Sequence, residues 1–295
     1  MKIGIIGAGK WGQALQYALS QKNEVFITSR HKKDLPNFVP LDYIFENLEY
    51  LVIALPAQVT REWLKEHKFS SDKKVLVASK GIDVETGKFL NQIYEDYLPK
   101  KNISFLTGPS FAKEVKEGLP TALVINSTNL ELANTFSKIF PDFIKTYISD
   151  DVIGAEIAGA YKNVIAIASG ICDGLELGNN ARAALLARGL VEIERFGKYF
   201  GGKTETFLGL SGAGDLFLTA SSKLSRNYRV GLGLAKGKNL DNILEELGEV
   251  AEGVYTAQAI VKLSEKFKIY TPIADEVFLI LNGKNPHISL RDLLQ

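Results

Sequence analysis

The segment Ile3-Gly4-Ile5-Ile6-Gly7-Ala8-Gly9-Lys10-Trp11-Gly12 decides the fold of this chain. Its first residues form an apolar run typical of a buried strand, and the helical pattern of Gln13–Leu19 follows it directly. Between strand and helix, the G-x-G-x-x-G spacing has a physical meaning. Gly7 permits a tight turn, Gly9 lets a pyrophosphate approach the backbone, and Gly12 lets the helix pack against the strand. The segment therefore predicts a dinucleotide site at a helix N-terminus, where amide donors and the positive dipole end favour phosphate.

Similar apolar runs alternate with helical patterns up to Asp150. Continuous apolar strands that alternate with helices indicate a parallel sheet covered on both faces, so we expect a doubly wound α/β domain. The predicted strands are Ile3–Ile6, Glu24–Thr28, Leu51–Leu55, Lys74–Ala78, Ile103–Leu106, Ala122–Ile125 and Phe143–Ile148.

The pattern changes after Asp150, where helical spacing replaces the strand runs. We therefore predict a dinucleotide-binding domain over residues 1–150 and an all-helical substrate domain over residues 151–295. The predicted helices of the second domain are Val152–Ile171, Ala181–Tyr199, Leu240–Leu247, Thr256–Phe267 and Ala274–Leu281.

Composition excludes several classes of protein. Lys and Arg number 35 against 34 Asp and Glu, so no net field attracts nucleic acid or a membrane surface. The longest stretch without a charged residue, Gly118–Leu130, is too short to span a bilayer. A single cysteine, Cys172, fits a reducing compartment, and the three histidines lack metal-ligand spacing. We expect a cytoplasmic protein without a metal.

The end of the second predicted strand bears on the choice of dinucleotide. Sites for NAD carry an acidic residue there, which binds the ribose 2′-hydroxyl. This chain has Thr28-Ser29-Arg30-His31-Lys32-Lys33 instead. Arg30 and the neighbouring cations could receive a 2′-phosphate, which favours the use of NADP. The alternative is a solvated basic loop.

Lys162 is the first candidate catalytic residue. Small residues at helix-neighbour spacings surround it, namely Ala155, Ala158, Gly159 and Ala166. Such a face predicts a desolvated lysine whose pKa is lowered towards the range of a general acid/base. The alternative is a lysine whose side chain reaches the surface along the helix.

Other polar groups suit a small anionic ligand. Leu210-Ser211-Gly212-Ala213-Gly214-Asp215 places a carboxylate after a predicted glycine-rich turn, and Ser225-Arg226-Asn227 offers a hydroxyl, a guanidinium and an amide. Gly108-Pro109-Ser110-Phe111-Ala112 follows a strand, with Ser110 as a candidate helix N-cap. Because ligands bind at the carboxyl ends of parallel strands, Pro56, Lys80 and Gly108–Ala112 are predicted to share one rim with the glycine loop.

The motifs together resemble NAD(P)-dependent glycerol-3-phosphate dehydrogenase of the bacterial type. The resemblance covers nearly the whole chain and rests on Gly7–Gly12, Ser79-Lys80-Gly81, Gly108–Ala112, Lys162-Asn163, Gly212–Asp215 and Ser225–Asn227, in the family's order. It implies a Rossmann domain followed by a helical domain, a cytoplasmic homodimer, and reduction of dihydroxyacetone phosphate to sn-glycerol 3-phosphate by NAD(P)H for phospholipid synthesis.

The resemblance also implies a role for each matching residue. Lys162 corresponds to the catalytic lysine, which protonates the ketone oxygen. The implied substrate contacts are Lys80, Gly108, Ser110, Asp215, Ser225, Arg226 and Asn227. The implied cofactor contacts are Gly7, Gly9, Lys10, Trp11, Gly12, Arg30, His31, Lys80, Ala112, Arg226, Val250 and Glu252.

Two alternatives stay open at the level of sequence. A lysine-dependent two-domain reductase of the β-hydroxyacid dehydrogenase type would favour a carboxylate substrate, whereas the Ser225–Asn227 cluster favours a phosphate. A catalytically silent nicotinamide sensor would keep the glycine loop but would not need Lys162 or Asp215.

Overall fold

The chain is described here by a computed structural model, which covers residues 1–68 and 70–289. The last six residues of the predicted second domain lie outside the described residues. The chain forms two compact units. The sheet unit consists of Met1–Ser79 and Asn91–Val152, and the helical unit consists of Lys80–Leu90 and the described residues from Ile153 onward. The segment Lys80–Leu90 thus belongs to the helical unit, although it precedes residue 150.

Within the described residues, the sheet unit contains one seven-stranded sheet in the order β2-β1-β3-β4-β5-β6-β7. The α/β class predicted from the sequence is confirmed. The strands are β1 (Lys2–Ile6), β2 (Glu24–Thr28), β3 (Tyr50–Ile53), β4 (Lys74–Val77), β5 (Ile103–Thr107), β6 (Thr121–Asn126) and β7 (Ile144–Ser149). The helices between them are α1 (Lys10–Leu19), α2 (Leu41–Asn47), α3 (Ala57–Glu66), α4 (Leu90–Glu95), α5 (Ala112–Lys116) and α6 (Leu130–Ser137).

The strand order explains the position of the glycine loop. β1 pairs with β2 on one side and with β3 on the other, both in parallel register. Right-handed crossovers that leave in opposite directions place their helices on opposite faces of a sheet. The crevice for a ligand then opens at the carboxyl end of the strand where the order reverses, which is β1.

One strand pairing differs from the predicted all-parallel sheet. β6 runs antiparallel to β5, and β7 then runs parallel to β6. The connection between β5 and β6 has 13 residues, close to the minimum for a crossover between parallel strands. Its helix, α5, has five residues and therefore advances only about 7.5 Å, whereas a five-residue strand is about 17 Å long. The chain does not return to the opposite edge of the sheet before β6 begins.

The helical unit packs around one long helix, as the sequence predicts. α7 (Val152–Gly174) has the length and hydropathy of a membrane span, but 94% of its most apolar window is buried inside the protein. The alternation of small and branched residues lets neighbouring helices approach it closely. Those helices are α8 (Gly178–Tyr199), α9 (Thr204–Leu208), α10 (Asp215–Ala220), α11 (Arg226–Ala235), α12 (Leu240–Leu247), α13 (Glu252–Phe267) and α14 (Pro272–Leu281).

Candidate active site

The glycine loop joins β1 to α1 with the geometry that a dinucleotide requires. Gly7 has φ +110°, in the region that favours glycine, and a Cβ on Gly12 would lie 1.8 Å from the carbonyl oxygen of Gly7. Gly9 is the N-cap of α1, and a Cβ there would meet no atom within 4 Å. The first turn of α1 contains no acidic residue. An open approach to a helix N-terminus without carboxylates fits a pyrophosphate.

Two side chains brace this loop within the sheet unit. The indole Nε1 of Trp11 donates to the carbonyl of Ala78 at 3.1 Å, which ties α1 to the end of β4. The Nζ of Lys33 donates to the carbonyl of Ala8 at 2.7 Å, which ties the segment after β2 to the loop. The indole N–H of Trp11 is therefore engaged within the protein. If Trp11 contacts the cofactor, it does so through its ring or its backbone.

The segment after β2 presents cations, as the sequence predicts. The Nε of Arg30 donates to Nε2 of His31 at 3.3 Å, and both side chains are exposed. Sequence reasoning named the cations beside Arg30 only as a group. Lys33 differs from Lys32 in that its ammonium donates to the carbonyl of Ala8. No rule based on sequence spacing predicts that contact.

The segment after β5 departs from one prediction. Ser110 is not a helix N-cap: α5 begins at Ala112, its N-cap is Phe111, and no side chain caps it. The helix begins one residue later than expected, and the Ser110 hydroxyl lies 3.5 Å from the carbonyl of Gly108 instead. Gly108, Ser110 and Ala112 follow the carboxyl end of β5, consistent with the predicted rim of the sheet unit.

Lys162 lies in the interior of the helical unit. Only 6% of the residue is exposed, and the helix face around it consists of buried residues. The neighbouring small residues Ala155, Ala158 and Ala166 are themselves 0% exposed, so this face of the helix is packed against other parts of the protein. The prediction of a desolvated lysine is confirmed, and the alternative of a side chain that reaches the surface is wrong.

Three side chains form a polar cluster with Lys162; two of them are buried and the third, Lys80, is partly buried. The ammonium forms an ion pair with Oδ1 of Asp215 and donates to Oγ1 of Thr219 at 2.9 Å. The Thr219 hydroxyl lies 3.4 Å from Oδ1 of Asp215. The Nζ of Lys80 donates to the second carboxylate oxygen, Oδ2, at 2.6 Å. Asp215 thus holds one lysine at each of its oxygens.

The backbone before Asp215 is not the predicted glycine-rich turn. Leu210–Gly214 is π-helical and continues directly into α10, which begins at Asp215. The Gly214 N–H donates to the carbonyl of Gly209 at 3.1 Å, an i to i−5 bond. A Cβ on Gly212 would lie 2.0 Å from the carbonyl oxygen of Phe207, so glycine is needed for this tight winding. π-helical turns of this kind are frequent at functional sites.

Burial and charge set the protonation of the cluster. Burial, opposed by the Asp215 carboxylate and assisted by the neighbouring Lys80 ammonium, lowers the pKa of Lys162 to about 7. Burial alone raises the pKa of Asp215, but Lys162 and Lys80 together hold it below its ordinary value. Near neutral pH the Asp215 carboxylate is therefore ionised, while Lys162 is available both with and without its proton.

A second group of predicted residues lies around the N-terminus of α11. The Ser225 hydroxyl caps this helix by accepting from the Tyr228 N–H at 3.2 Å. The guanidinium of Arg226 is 3.2 Å from Oε2 of Glu249. Arg226 thus meets the segment before α13, where Val250 and Glu252 were predicted.

Asn227 connects the two groups through Asn163, the neighbour of Lys162. Its Nδ2 donates to Oδ1 of Asn163 at 2.9 Å, and its Oδ1 accepts from the Gly253 N–H at 2.9 Å. The Asn227 amide, which was predicted to contact substrate, therefore uses both its Oδ1 and its Nδ2 to join α7, α11 and α13. Asn163 and Thr219 are functional candidates that sequence reasoning did not assign to the site, since a single polar residue in a helix gives no signal.

Comparison with known proteins identifies the family. A glycerol-3-phosphate dehydrogenase [NAD(P)+] of Nitratiruptor is 65% identical to the chain over 295 residues, covering 100% of the chain and 98% of the relative. The chain belongs to the NAD-dependent glycerol-3-phosphate dehydrogenase family. The family's N-terminal model matches residues 35–133 and its C-terminal model matches residues 151–291.

Two further members of this glycerol-3-phosphate dehydrogenase family support the assignment. The enzyme of Sulfurimonas denitrificans is 61% identical and covers 99% of both chains. The crystal structure of the glycerol-3-phosphate dehydrogenase from Coxiella burnetii matches with a TM-score of 0.94 at 32% identity, over 100% of this chain and 98% of that one. The predicted family is confirmed, and the β-hydroxyacid dehydrogenase type is not favoured.

Proposed function

We propose that the chain reduces dihydroxyacetone phosphate to sn-glycerol 3-phosphate with NAD(P)H. Family membership supports the reaction, and the observation that carries the proposal is the Lys80–Asp215–Lys162 cluster. When Lys162 is protonated, the two ammonium groups and one carboxylate leave an excess of positive charge, which suits an anionic substrate and a ketone oxygen that gains negative charge.

Lys162 is the proposed general acid. Its ammonium gives a proton to the ketone oxygen as the carbonyl carbon is reduced, and the neutral amine accepts the alcohol proton in the reverse direction. A pKa of about 7 matches this task, because both protonation states are populated at neutral pH. Asp215 and Thr219 hold the nitrogen in place, one by charge and the other by a hydrogen bond.

The proposed phosphate site lies at the start of α11. The guanidinium of Arg226 is suited to bidentate phosphate binding, and the ten-residue helix directs its positive dipole end to the same place. The Ser225 hydroxyl and the remaining N–H of the Asn227 amide complete the donors. Since Arg226 already pairs with Glu249, a phosphate would compete with that carboxylate. Gly108, Ser110 and Lys80 are the other proposed substrate contacts, and they follow the family's pattern.

The glycine loop fits NAD(P)H because the backbone N–H groups at the N-terminus of α1 are suitable donors for its pyrophosphate. Bound NAD(P)H supplies the hydride that reduces the ketone carbon. Gly7, Gly9 and Gly12 shape the pyrophosphate cradle, and the basic segment after β2 lacks the carboxylate that would repel a 2′-phosphate. We therefore propose that NADP is accepted. Other proposed cofactor contacts follow the family's pattern, namely Lys10, Trp11, Arg30, His31, Lys80, Ala112, Arg226, Val250 and Glu252.

We also propose a role for each domain, a homodimeric state and a cellular location for the enzyme. Residues 1–150 form the dinucleotide-binding domain and residues 151–295 the substrate domain, and each also supplies contacts to the other ligand: Lys80, Gly108 and Ser110 to substrate, and Arg226, Val250 and Glu252 to the cofactor. The large exposed side chains Val191 and Tyr270 on the helical unit, 53% and 67% exposed, support a homodimer. The single cysteine fits a reducing compartment and supports a cytoplasmic location, where the product serves glycerophospholipid synthesis.

Substrate comparison tests the proposed function. The purified chain is given NADH or NADPH together with dihydroxyacetone phosphate, dihydroxyacetone, or a 2-oxo acid. We expect turnover with the phosphate ester, and a kcat/KM at least about a hundredfold lower for dihydroxyacetone, because the Arg226 and helix contacts are lost. Preference for the 2-oxo acid would favour the carboxylate reductase instead. Cofactor binding without turnover of any substrate would favour a sensor.

A further inference from the structure

The segment Lys80–Leu90, here called the strap, is folded onto the helical unit. Ile82 and Phe89 form an antiparallel bridge and contribute their side chains to the core around α7. The Lys262 ammonium donates to the carbonyl of Val84 at 3.3 Å. The rings of Phe89 and Phe200 meet edge to face at 5.2 Å. The strap is therefore a built part of the unit that contains Lys162 and Asp215.

Asp83 organises the turn of the strap. Its carboxylate Oδ1 accepts from the N–H groups of Glu85 and Thr86 at 2.9 and 3.1 Å, although the residue is only 2% exposed. Its backbone closes the same turn, with its N–H donating to Lys88 and its carbonyl accepting from Gly87. A buried carboxylate that accepts two backbone N–H bonds fixes a turn more firmly than a neutral side chain does.

The strap begins at the lysine that binds Asp215. Only one residue, Gly81, separates Lys80 from the bridge at Ile82, a reach of about 7 Å along the chain. The stem of Lys80 also lies along α7, where a Cβ on Gly159 would be 3.4 Å from its Cδ. The place of the Lys80 ammonium therefore depends on where the folded strap holds its backbone.

We propose that Asp83 is a positioning residue for the reaction: it folds the strap so that the ammonium of Lys80 stays against Oδ2 of Asp215. The proposal rests on the proposed function for the catalytic role of Lys80, but the position of Lys80 is independent of activity. The effect of Asp83 on the cluster passes through the fold of the strap, because its side-chain hydrogen bonds to the N–H groups of Glu85 and Thr86 hold the turn.

Displacement of Lys80 should raise the pKa of Lys162, an effect that a general loss of stability would not produce. The charged groups that act on Lys162 are Asp215 from α10 and Lys80 from the strap. When a like charge moves away, the ammonium form of Lys162 becomes more favourable and its pKa rises. The alkaline limb of ketone reduction would then move to higher pH in Asp83→Ala, as it would in Lys80→Met.

The first experiment measures where Lys80 lies without using activity. The folded full chain is pulse-acetylated, and the rate at each lysine is read by mass spectrometry. We expect Asp83→Ala to raise the rate at Lys80 at least fivefold, because the paired ammonium is released. Lys198, an exposed lysine on α8, should keep its rate. Asn285→Ala removes a comparable turn acceptor elsewhere and should leave Lys80 unchanged.

The second experiment measures the reaction. We expect Asp83→Ala to lower kcat about tenfold, to shift the alkaline limb upward, and to add little to Lys80→Met in the double variant. Asp83→Asn, whose amide oxygen still accepts, should recover most of the rate. If Asp83→Ala does not fold, Gly87→Ala strains the same turn, since Gly87 has φ +70° and a Cβ there would be 3.2 Å from Leu263.

The outcomes separate the two proposals. An unchanged acetylation rate at Lys80 in folded Asp83→Ala or Gly87→Ala would overturn the role of Asp83, whatever the enzyme turns over. A lower kcat with an unshifted pH profile and effects that add to those of Lys80→Met would also overturn it. A wild-type chain without turnover would count against the proposed function only, since the acetylation result stands by itself.

Discussion

The Nζ of Lys80 lies 2.6 Å from Oδ2 of Asp215, although 135 positions separate the two residues in the sequence. The other oxygen of the same carboxylate pairs with Lys162. Asp215 is therefore the point where a segment from the first part of the chain meets two helices of the second. This arrangement fixes both lysines around one buried anion and predicts how each group affects the others.

The pH dependence of kcat/KM should follow the protonation of Lys162. Reduction of the ketone needs the ammonium, so kcat/KM in that direction should fall as the pH rises through about 7, and the reverse reaction should need the neutral amine. In Asp215→Asn the carboxylate that favours the Lys162 ammonium is lost, so the pKa of Lys162 should fall. The alkaline limb of ketone reduction should then move to lower pH. The measurement is a pH series in both directions. A limb that stays in place in Asp215→Asn would mean that another group titrates.

Thr219→Val should lower kcat about tenfold and leave the fold intact. Valine has nearly the shape of threonine but lacks the hydroxyl that accepts from the Lys162 ammonium at 2.9 Å. Thr219→Ser keeps the hydroxyl and is the matched control, with an expected kcat within about threefold of wild type. Steady-state kinetics and a thermal unfolding curve check the two variants. A loss in Thr219→Ser with a normal kcat in Thr219→Val would show that packing of the methyl group, rather than the hydrogen bond, matters.

Two glycines of the same loop should respond differently to alanine. Gly12→Ala places a Cβ 1.8 Å from the Gly7 carbonyl oxygen and should lower the free energy of unfolding by about 3 kcal/mol. Gly9→Ala meets open space, so stability should change by less than about 1 kcal/mol while cofactor binding weakens at least about tenfold. Denaturant unfolding and fluorescence titration with NADH separate the effects. Normal cofactor binding by Gly9→Ala would argue against the loop as the pyrophosphate site.

Arg30→Glu should weaken NADPH binding more than NADH binding. The substitution replaces a cation at the end of β2 with the carboxylate that a 2′-phosphate disfavours, so the Kd for NADPH should rise at least about tenfold and that for NADH less than about threefold. Lys32→Glu reverses a neighbouring exposed charge and should have the smaller effect. Titration with 2′,5′-ADP and 5′-AMP checks the result directly. Equal changes for both nucleotides would contradict the assignment of the 2′-phosphate.

The sequence predicts the local elements of the sheet unit well, for a physical reason. The strand β1, the glycine loop and α1 are adjacent in the chain, so their hydrophobic pattern and steric demands can be read together. The antiparallel direction of β6 is harder to predict, because it depends on the connection that contains α5 rather than on the sequence of the strand itself. The π-helical winding of Leu210–Gly214 also escapes a pattern rule, since glycine-rich segments usually form turns.

The site follows the same division. Burial of Lys162 is predictable from the small residues on its own helix, and the structure confirms it. Its partners are set by tertiary packing: Thr219 is one polar residue in an apolar helix, and Lys80 arrives through the folded strap. Asn227 was expected to face substrate, yet its amide joins Asn163 to Gly253, a connection that only the packing of three helices creates.

The most direct test of the account is the single-turnover rate of dihydroxyacetone phosphate reduction by Lys162→Met, with cofactor binding measured on the same sample. Methionine fills the space of the lysine stem without the proton-donating group. If Lys162 is the general acid, the rate should be about a thousandfold below that of wild type, with the Kd for NAD(P)H changed less than about threefold. A rate within about threefold of wild type in the folded variant would contradict the role of Lys162 as general acid.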